Sequence, residues 1–266
     1  MVWAFPEGLL DFDTAAKAQP NEILGRVIMR RIILAFILLG LTGSAFAGNN
    51  INNLPALTQS EFHDLSADLG AILSFKQLES AAPEGITGFD IGFDLSATNL
   101  AHPSDWNTAT NGSGVTTIPM ARVRVSKGLP FGFDVGGFYS GATNSNIKAY
   151  GGDIRYAILD GSALSPALGI RAAFSRLGGV NQLSFNTKSL DLTLSKGFGP
   201  FTPYAGVGRV WINSNPDVST GLQNESFSAD EGFVGLAMSF VVVHVALEAN
   251  RTAGNNTYSF KLGFGF

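Results

Sequence analysis

The last nine residues, Tyr258-Ser259-Phe260-Lys261-Leu262-Gly263-Phe264-Gly265-Phe266, alternate without interruption. A β-strand sends successive side chains to opposite faces, so Tyr258, Phe260, Leu262, Phe264 and Phe266 share one apolar, aromatic face. Ser259, Lys261, Gly263 and Gly265 share the other. No residue follows Phe266 to cover the apolar face, so the pattern asks for a partner outside the chain, and hydrocarbon satisfies it.

The same period of two recurs from residue 86 onward. Phe89, Ile91, Phe93 and Leu95 alternate with Asp90, Gly92, Asp94 and Ser96, and Val123 and Val125 flank Arg124. Leu190, Leu192 and Leu194 alternate with Asp191 and Thr193, and Val243, Val245 and Leu247 with His244 and Glu248. Ten such segments are counted, with twelve as the alternative. Charged residues make up 14% of the chain, against roughly 25% in an average soluble domain. After residue 47 no apolar run approaches the ~20 residues of a membrane helix. High apolar content carried by short alternating segments is the signature of strands with one face on lipid.

Residues 29–47 read as a secretory signal peptide. Arg30 and Arg31 supply the positive start, Ile32 to Leu41 the apolar stretch, and Ala45 and Ala47 the small residues before cleavage, which leaves Gly48 as the first mature residue. Residues 1–28 are then an upstream extension. Residues 48–85 form a linker and an amphipathic helix over 58–75. Thr58-Gln59-Ser60-Glu61 matches a capping box, and Phe62, Leu65, Leu69, Ile72 and Leu73 follow at helical spacing. The barrel occupies 86–266.

Export signal, dyad alternation and a terminal phenylalanine together resemble bacterial outer-membrane β-barrel proteins. The resemblance covers about the last two-thirds of the chain and reaches no characterised subfamily. It implies an all-β fold, an antiparallel transmembrane barrel with a short N-terminal helix, in the cell outer membrane. It also implies that Tyr258, Phe260, Leu262, Phe264 and Phe266 are read by the barrel assembly machinery, and that outer-membrane lipid is a partner. The junctions at 97–115 and 213–228 are the longest and are polar, so they are assigned to the external side. The strand near 87–98 then runs outward, and nothing before it needs to cross the membrane.

The polar faces, turned inward, place Asp90, Asp94, Asp134, Asp153, Asp191, Glu231 and Glu248 against Arg122, Arg124, Arg155, Arg171, Arg209 and Lys261. Seven acids against six bases give no strong ion preference. Around residues 204–212 this reading sends Tyr204, Val210 and Ile212 outward, opposite Arg209. The lumen as a whole reads as too polar to bury the apolar face of the N-terminal helix, which plugs the barrel in part or lies at the periplasmic boundary.

The function expected is structural, or a narrow, plugged channel for small, including apolar, solutes. Two alternatives accompany it: an adhesion barrel acting through the loops 97–115 and 213–228, and a rim enzyme built on His102, Ser104 and Asp105, for which Trp106 is read as an interface anchor. The main reading is not an enzyme and needs no metal or cofactor. The chain contains no cysteine and carries a net charge of −4, so neither thiolate chemistry nor a nucleic-acid partner is expected.

Overall fold

In the computed structural model, residues 50–266 other than 113 and 163 are described. The upstream extension, the signal peptide and the cleavage residues Ala45, Ala47 and Gly48 lie outside the described residues. Ten antiparallel strands close into a barrel in simple up-and-down order, with β1 paired to β10. They are β1 (Phe89–Asn99), β2 (Thr117–Gly128), β3 (Phe133–Ala142), β4 (Lys148–Leu159), β5 (Ala167–Gly178), β6 (Leu183–Ser195), β7 (Phe201–Pro216), β8 (Glu225–Phe240), β9 (Val243–Thr252) and β10 (Asn255–Gly265). Two helices accompany them, α1 (Gln59–Leu73) before the barrel and α2 (Pro103–Ala109) in the β1–β2 connection. Closure leaves no unpaired edge, which is the condition for strands to stand in hydrocarbon.

The apolar alternation faces out. Ile91, Phe93, Leu95, Val123, Leu190, Leu192, Leu194, Val234, Leu247, Tyr258 and Phe264 are each at least 40% exposed. Together they form a belt far larger than the apolar patches a soluble monomer tolerates. A closed barrel with this apolar belt outside and charges inside has the architecture of a transmembrane barrel. The β2–β3, β4–β5, β6–β7 and β8–β9 connections form one end with Phe266; the longest connections, β1–β2 and β7–β8, lie at the other. By the usual asymmetry the second end is external.

α1 begins as the sequence dictates. Thr58 Oγ1 accepts from the Glu61 amide and the Glu61 carboxylate accepts from the Thr58 amide, closing the capping box. Of the two positions expected for it, α1 takes the one inside the barrel; its path differs from expectation. Residues 50–57 lie at the external rim, α1 descends inside the barrel, and residues 74–88 continue extended to the periplasmic end, where β1 starts. The segment before β1 therefore does traverse the membrane, enclosed by the barrel. Ile51 exchanges two backbone hydrogen bonds with the Asn146 side chain of the β3–β4 turn, at 3.0 Å each. The amides of Asn52 and Asn53 donate to Ala109 O in the β1–β2 connection.

The lumen accepts the helix because its outer half is apolar. Phe62, Leu65, Leu69, Ile72 and Leu73 are essentially fully buried, against Ile118, Met120, Phe138, Ile147, Leu177, Leu183, Phe185, Val210 and Ile212 of the wall. The reading of β7 is corrected here. Tyr204, Val210 and Ile212 point inward, and Arg209 points outward, where it is bonded to Asp230 at 2.6 Å. An apolar residue inside a barrel is stable when it packs on a plug instead of water, and α1 supplies that surface.

Candidate functional site

The candidate site is the lumen together with the segment that fills it. Strands supply the wall: a period of two turns every second residue inward, so Asp90 and Asp94 of β1, Arg122 and Arg124 of β2, Asp134 of β3, and Asp153 and Arg155 of β4 converge. Arg171 and Asp191 of β5 and β6, Glu231 of β8, Glu248 of β9 and Lys261 of β10 complete it. With Arg209 outside, the wall holds five inward bases against seven inward acids.

Residues 75–84 thread this ring, and its ionised groups serve as their hydrogen-bond partners. Arg124 donates to Gln77 O at 3.0 Å and to the Glu79 carboxylate at 2.8 Å. Arg155 donates to Ser80 O at 2.9 Å and to Asp134 at 2.7 Å. The Glu248 carboxylate accepts from the Leu78 amide at 2.9 Å and from the Tyr204 hydroxyl at 3.0 Å. Ser195 Oγ accepts from the Ala81 amide, and Asp134 from the Glu84 amide, both at 3.0 Å. A buried extended backbone needs partners for its amides and carbonyls; here the wall supplies several of them through side chains.

Aromatic contacts reinforce the middle. The guanidinium carbons of Arg171, Arg124 and Arg122 lie 4.4, 4.9 and 5.8 Å from the centre of the Phe75 ring, which also meets Phe138 edge-on. Cation–π attraction strengthens where water is excluded, so Phe75 anchors the crossing between helix and extended segment. Arg171 is held in place by Asp191 at 2.7 Å. Lys261 and His244 both bond Asp90, at 2.6 and 2.8 Å. Beside them a cavity of about 290 Å³ opens at the periplasmic end, lined by Glu79, Arg155, Thr202, His244 and Lys261 among others.

At the external rim the residues singled out as catalytic candidates are distributed otherwise. Ser104 Oγ donates to Asp105 at 3.0 Å, while His102 Nδ1 lies 2.9 Å from Asp68 of α1. Trp106 is fully buried, not a membrane anchor; its indole N–H donates to the other Asp68 oxygen at 3.0 Å. Asp68 thus ties α2 to α1. On the opposite side of the helix, His63 lies 2.9 Å from Glu225, which also accepts from Gln59.

Partial burial works against a charged His102. The hydrogen bond and charge of Asp68, with Asp64 and Asp105 nearby, outweigh it and hold the imidazole above its ordinary pKa. A raised pKa means that this contribution is full below about pH 6.5 and is lost as pH rises through the folded value. Raising the pH should therefore loosen the α1–α2 contact. His102→Gln keeps a donor and removes the titrating charge. The fall in the amide protection factors of α1 between about pH 6 and about pH 8.5 should be smaller in this variant than in the parent; an identical fall would show that His102 is not the titrating latch.

Phe75 closes the segment expected as helix, which ends at Leu73, while Lys76, Gln77, Glu79 and Glu84 fall in a stretch without periodicity that carries no sequence signal. Among the described residues no cluster of three or more metal-ligating side chains occurs.

No family profile and no curated protein matches the sequence. Three solved structures of similar shape are each distant in sequence. The KdgM porin in complex with disordered oligogalacturonate is 11% identical with a TM-score of 0.35, covering 66% of this chain and 99% of that one. The outer membrane protease OmpT from Escherichia coli is 10% identical with a TM-score of 0.36, covering 67% and 96%. The translocator domain of the autotransporter NalP from Neisseria meningitidis is 10% identical with a TM-score of 0.33, covering 78% and 95%.

Proposed function

We propose that the protein is a narrow channel for small solutes, held shut by its own residues 50–84. One observation carries the reading: the segment occupies the lumen from rim to rim, yet in the inner half it is attached through hydrogen bonds and ion pairs that water or a polar solute can replace. Such bonds are worth little net when exchanged for water, so a plug built on them is releasable. A segment with only a structural role gains more from a continuous apolar core. With the plug withdrawn, the pathway has an apolar outer half and a charged inner half.

The test exploits the absence of cysteine in the chain. Ser66 Oγ of α1 donates to Ser214 Oγ of β7 at 2.9 Å, so the two side chains meet tip to tip across the helix–wall contact. The Ser66→Cys/Ser214→Cys pair should conduct in planar bilayers only after reduction, and a variant lacking residues 50–80 should conduct under both conditions. Equal conductance of the parent, the oxidised pair and the deletion would remove the gating role.

A further inference from the structure

The outer wall carries an unexpected arc of cations. Lys148, Arg176, Lys188, Arg209 and Arg251 all project outward near the external ends of β4, β5, β6, β7 and β9. Register shows that they stand at nearly one height. Lys148 faces Gly178, and Arg176 is two residues nearer the periplasm; Arg176 faces Asn186, and Lys188 is two residues nearer. Lys188 faces Trp211, two above Arg209; Arg209 faces Asp230, two above Gly232, which faces Arg251. The lower strand ends step the same way: Ser195 faces Tyr204, three above the start of β7, and Phe201 faces Met238, two above the end of β8. In a tilted barrel a level ring must run diagonally through the ladder, and these five residues follow that diagonal. The outer halves of β10, β1, β2 and β3 turn no lysine or arginine outward.

Asp230 pairs with Arg209. Lys148, Arg176, Lys188 and Arg251 have no carboxylate partner among the described residues. Outward cations at mid-bilayer cost about 2–4 kcal/mol each and little near the interface, so the arc marks the headgroup level of the outer leaflet.

Directly beneath it the wall is hollowed. A groove of about 620 Å³ runs between Leu192 and Leu194 on one bank and Tyr258 on the other, over a floor of Ala205, Gly232 and Ala249, with Arg251 at its outer end. The hollow exists because the outward residues there are small; a Cβ added at Gly232 meets nothing within 4 Å.

We propose that this face is a binding site for a phosphate-bearing lipid of the outer leaflet, its phosphate held by Lys188, Arg209 and Arg251 and an acyl chain lying in the groove. Charge complementarity selects the occupant: guanidinium and ammonium groups at headgroup height attract phosphate, and the apolar hollow opens immediately below them. The site is independent of whether the lumen conducts.

Native mass spectrometry of the detergent-purified full barrel, with bisphosphorylated lipid A and with dephosphorylated lipid A of identical chains, tests it. The phosphorylated form should be retained preferentially. K188Q/R209Q/R251Q should weaken its retention by about tenfold or more, while R209K/R251K should restore much of it. Gly232→Leu puts apolar bulk into the hollow at a position where a Cβ meets nothing within 4 Å and should lower retention severalfold with unchanged heat-modifiable migration. Equal retention of both lipids, or retention unaffected by the triple substitution, overturns the site. A dimer mass abolished by Gly232→Leu and indifferent to lipid phosphate also overturns it, in favour of a second copy on this face.

Discussion

Gly70→Leu is expected to drive α1 out of the outer lumen and leave the channel frequently open. Gly70 faces β7, and a Cβ placed there falls 2.2 Å from Ile212 Cδ1 and 2.8 Å from Cγ1. Ile212 is fully buried, and β7 is hydrogen-bonded along its length to β6 and β8, so the wall has no room to retreat. Alanine needs only the end of the Ile212 side chain to rotate, and it gains about 1 kcal/mol of helix propensity over glycine. Leucine adds three more carbons to the same space, and overpacking of that kind typically costs about 1–3 kcal/mol or more.

That strain is relieved without breaking the barrel, because α1 is joined to it by side-chain contacts alone. Open probability in bilayers should rise by about tenfold or more for leucine and change little for alanine. Gly70→Leu/Ile212→Ala returns the missing volume and should close the channel again, the coupling expected of residues in contact. A leucine variant that stays as closed as the parent would mean that the helix seat is not the gate.

The same contact explains where the sequence was legible and where it was not. Alternation located the strands because lipid on one side and enclosed charge on the other are uniform along most of the wall. β7 kept its alternation, but its phase was misread: polarity assigned Arg209 inward and Val210 and Ile212 outward. Both assignments fail for one reason. In its outer half the strand faces a helix inside and headgroups outside, so the usual polarity is reversed. The capping box at Thr58 and Glu61 and the spacing of Phe62, Leu65 and Leu69 announced α1 clearly, because they are local. Where α1 packs depends on wall residues from Ile118 to Ile212, distant in sequence from the helix. Residues 75–84 have no period, since an extended chain bonded to side chains on several strands repeats nothing.

An epitope inserted immediately before Asn50 should be labelled by antibody on intact cells, an all-or-none outcome. Asn50 is exposed, and Ile51 and Asn53 are fastened to the β3–β4 turn and the β1–β2 connection, both at the external end. An epitope in the β7–β8 connection, between Asp217 and Asn224, serves as the positive control. One in the β8–β9 turn, at Val241 and Val242, should be silent until the outer membrane is permeabilised. Labelling before Asn50 only after permeabilisation, with the barrel assembled, would place the segment's start on the periplasmic side and contradict the threaded path. The direction matters for gating. In the proposed gating, residues 50–73 can leave the outer lumen while β1 and β10 stay paired, because the barrel seam closes at Phe89 and Phe266, at the opposite end of the barrel. In that proposal, external pH acts through His102 on the same end of the segment.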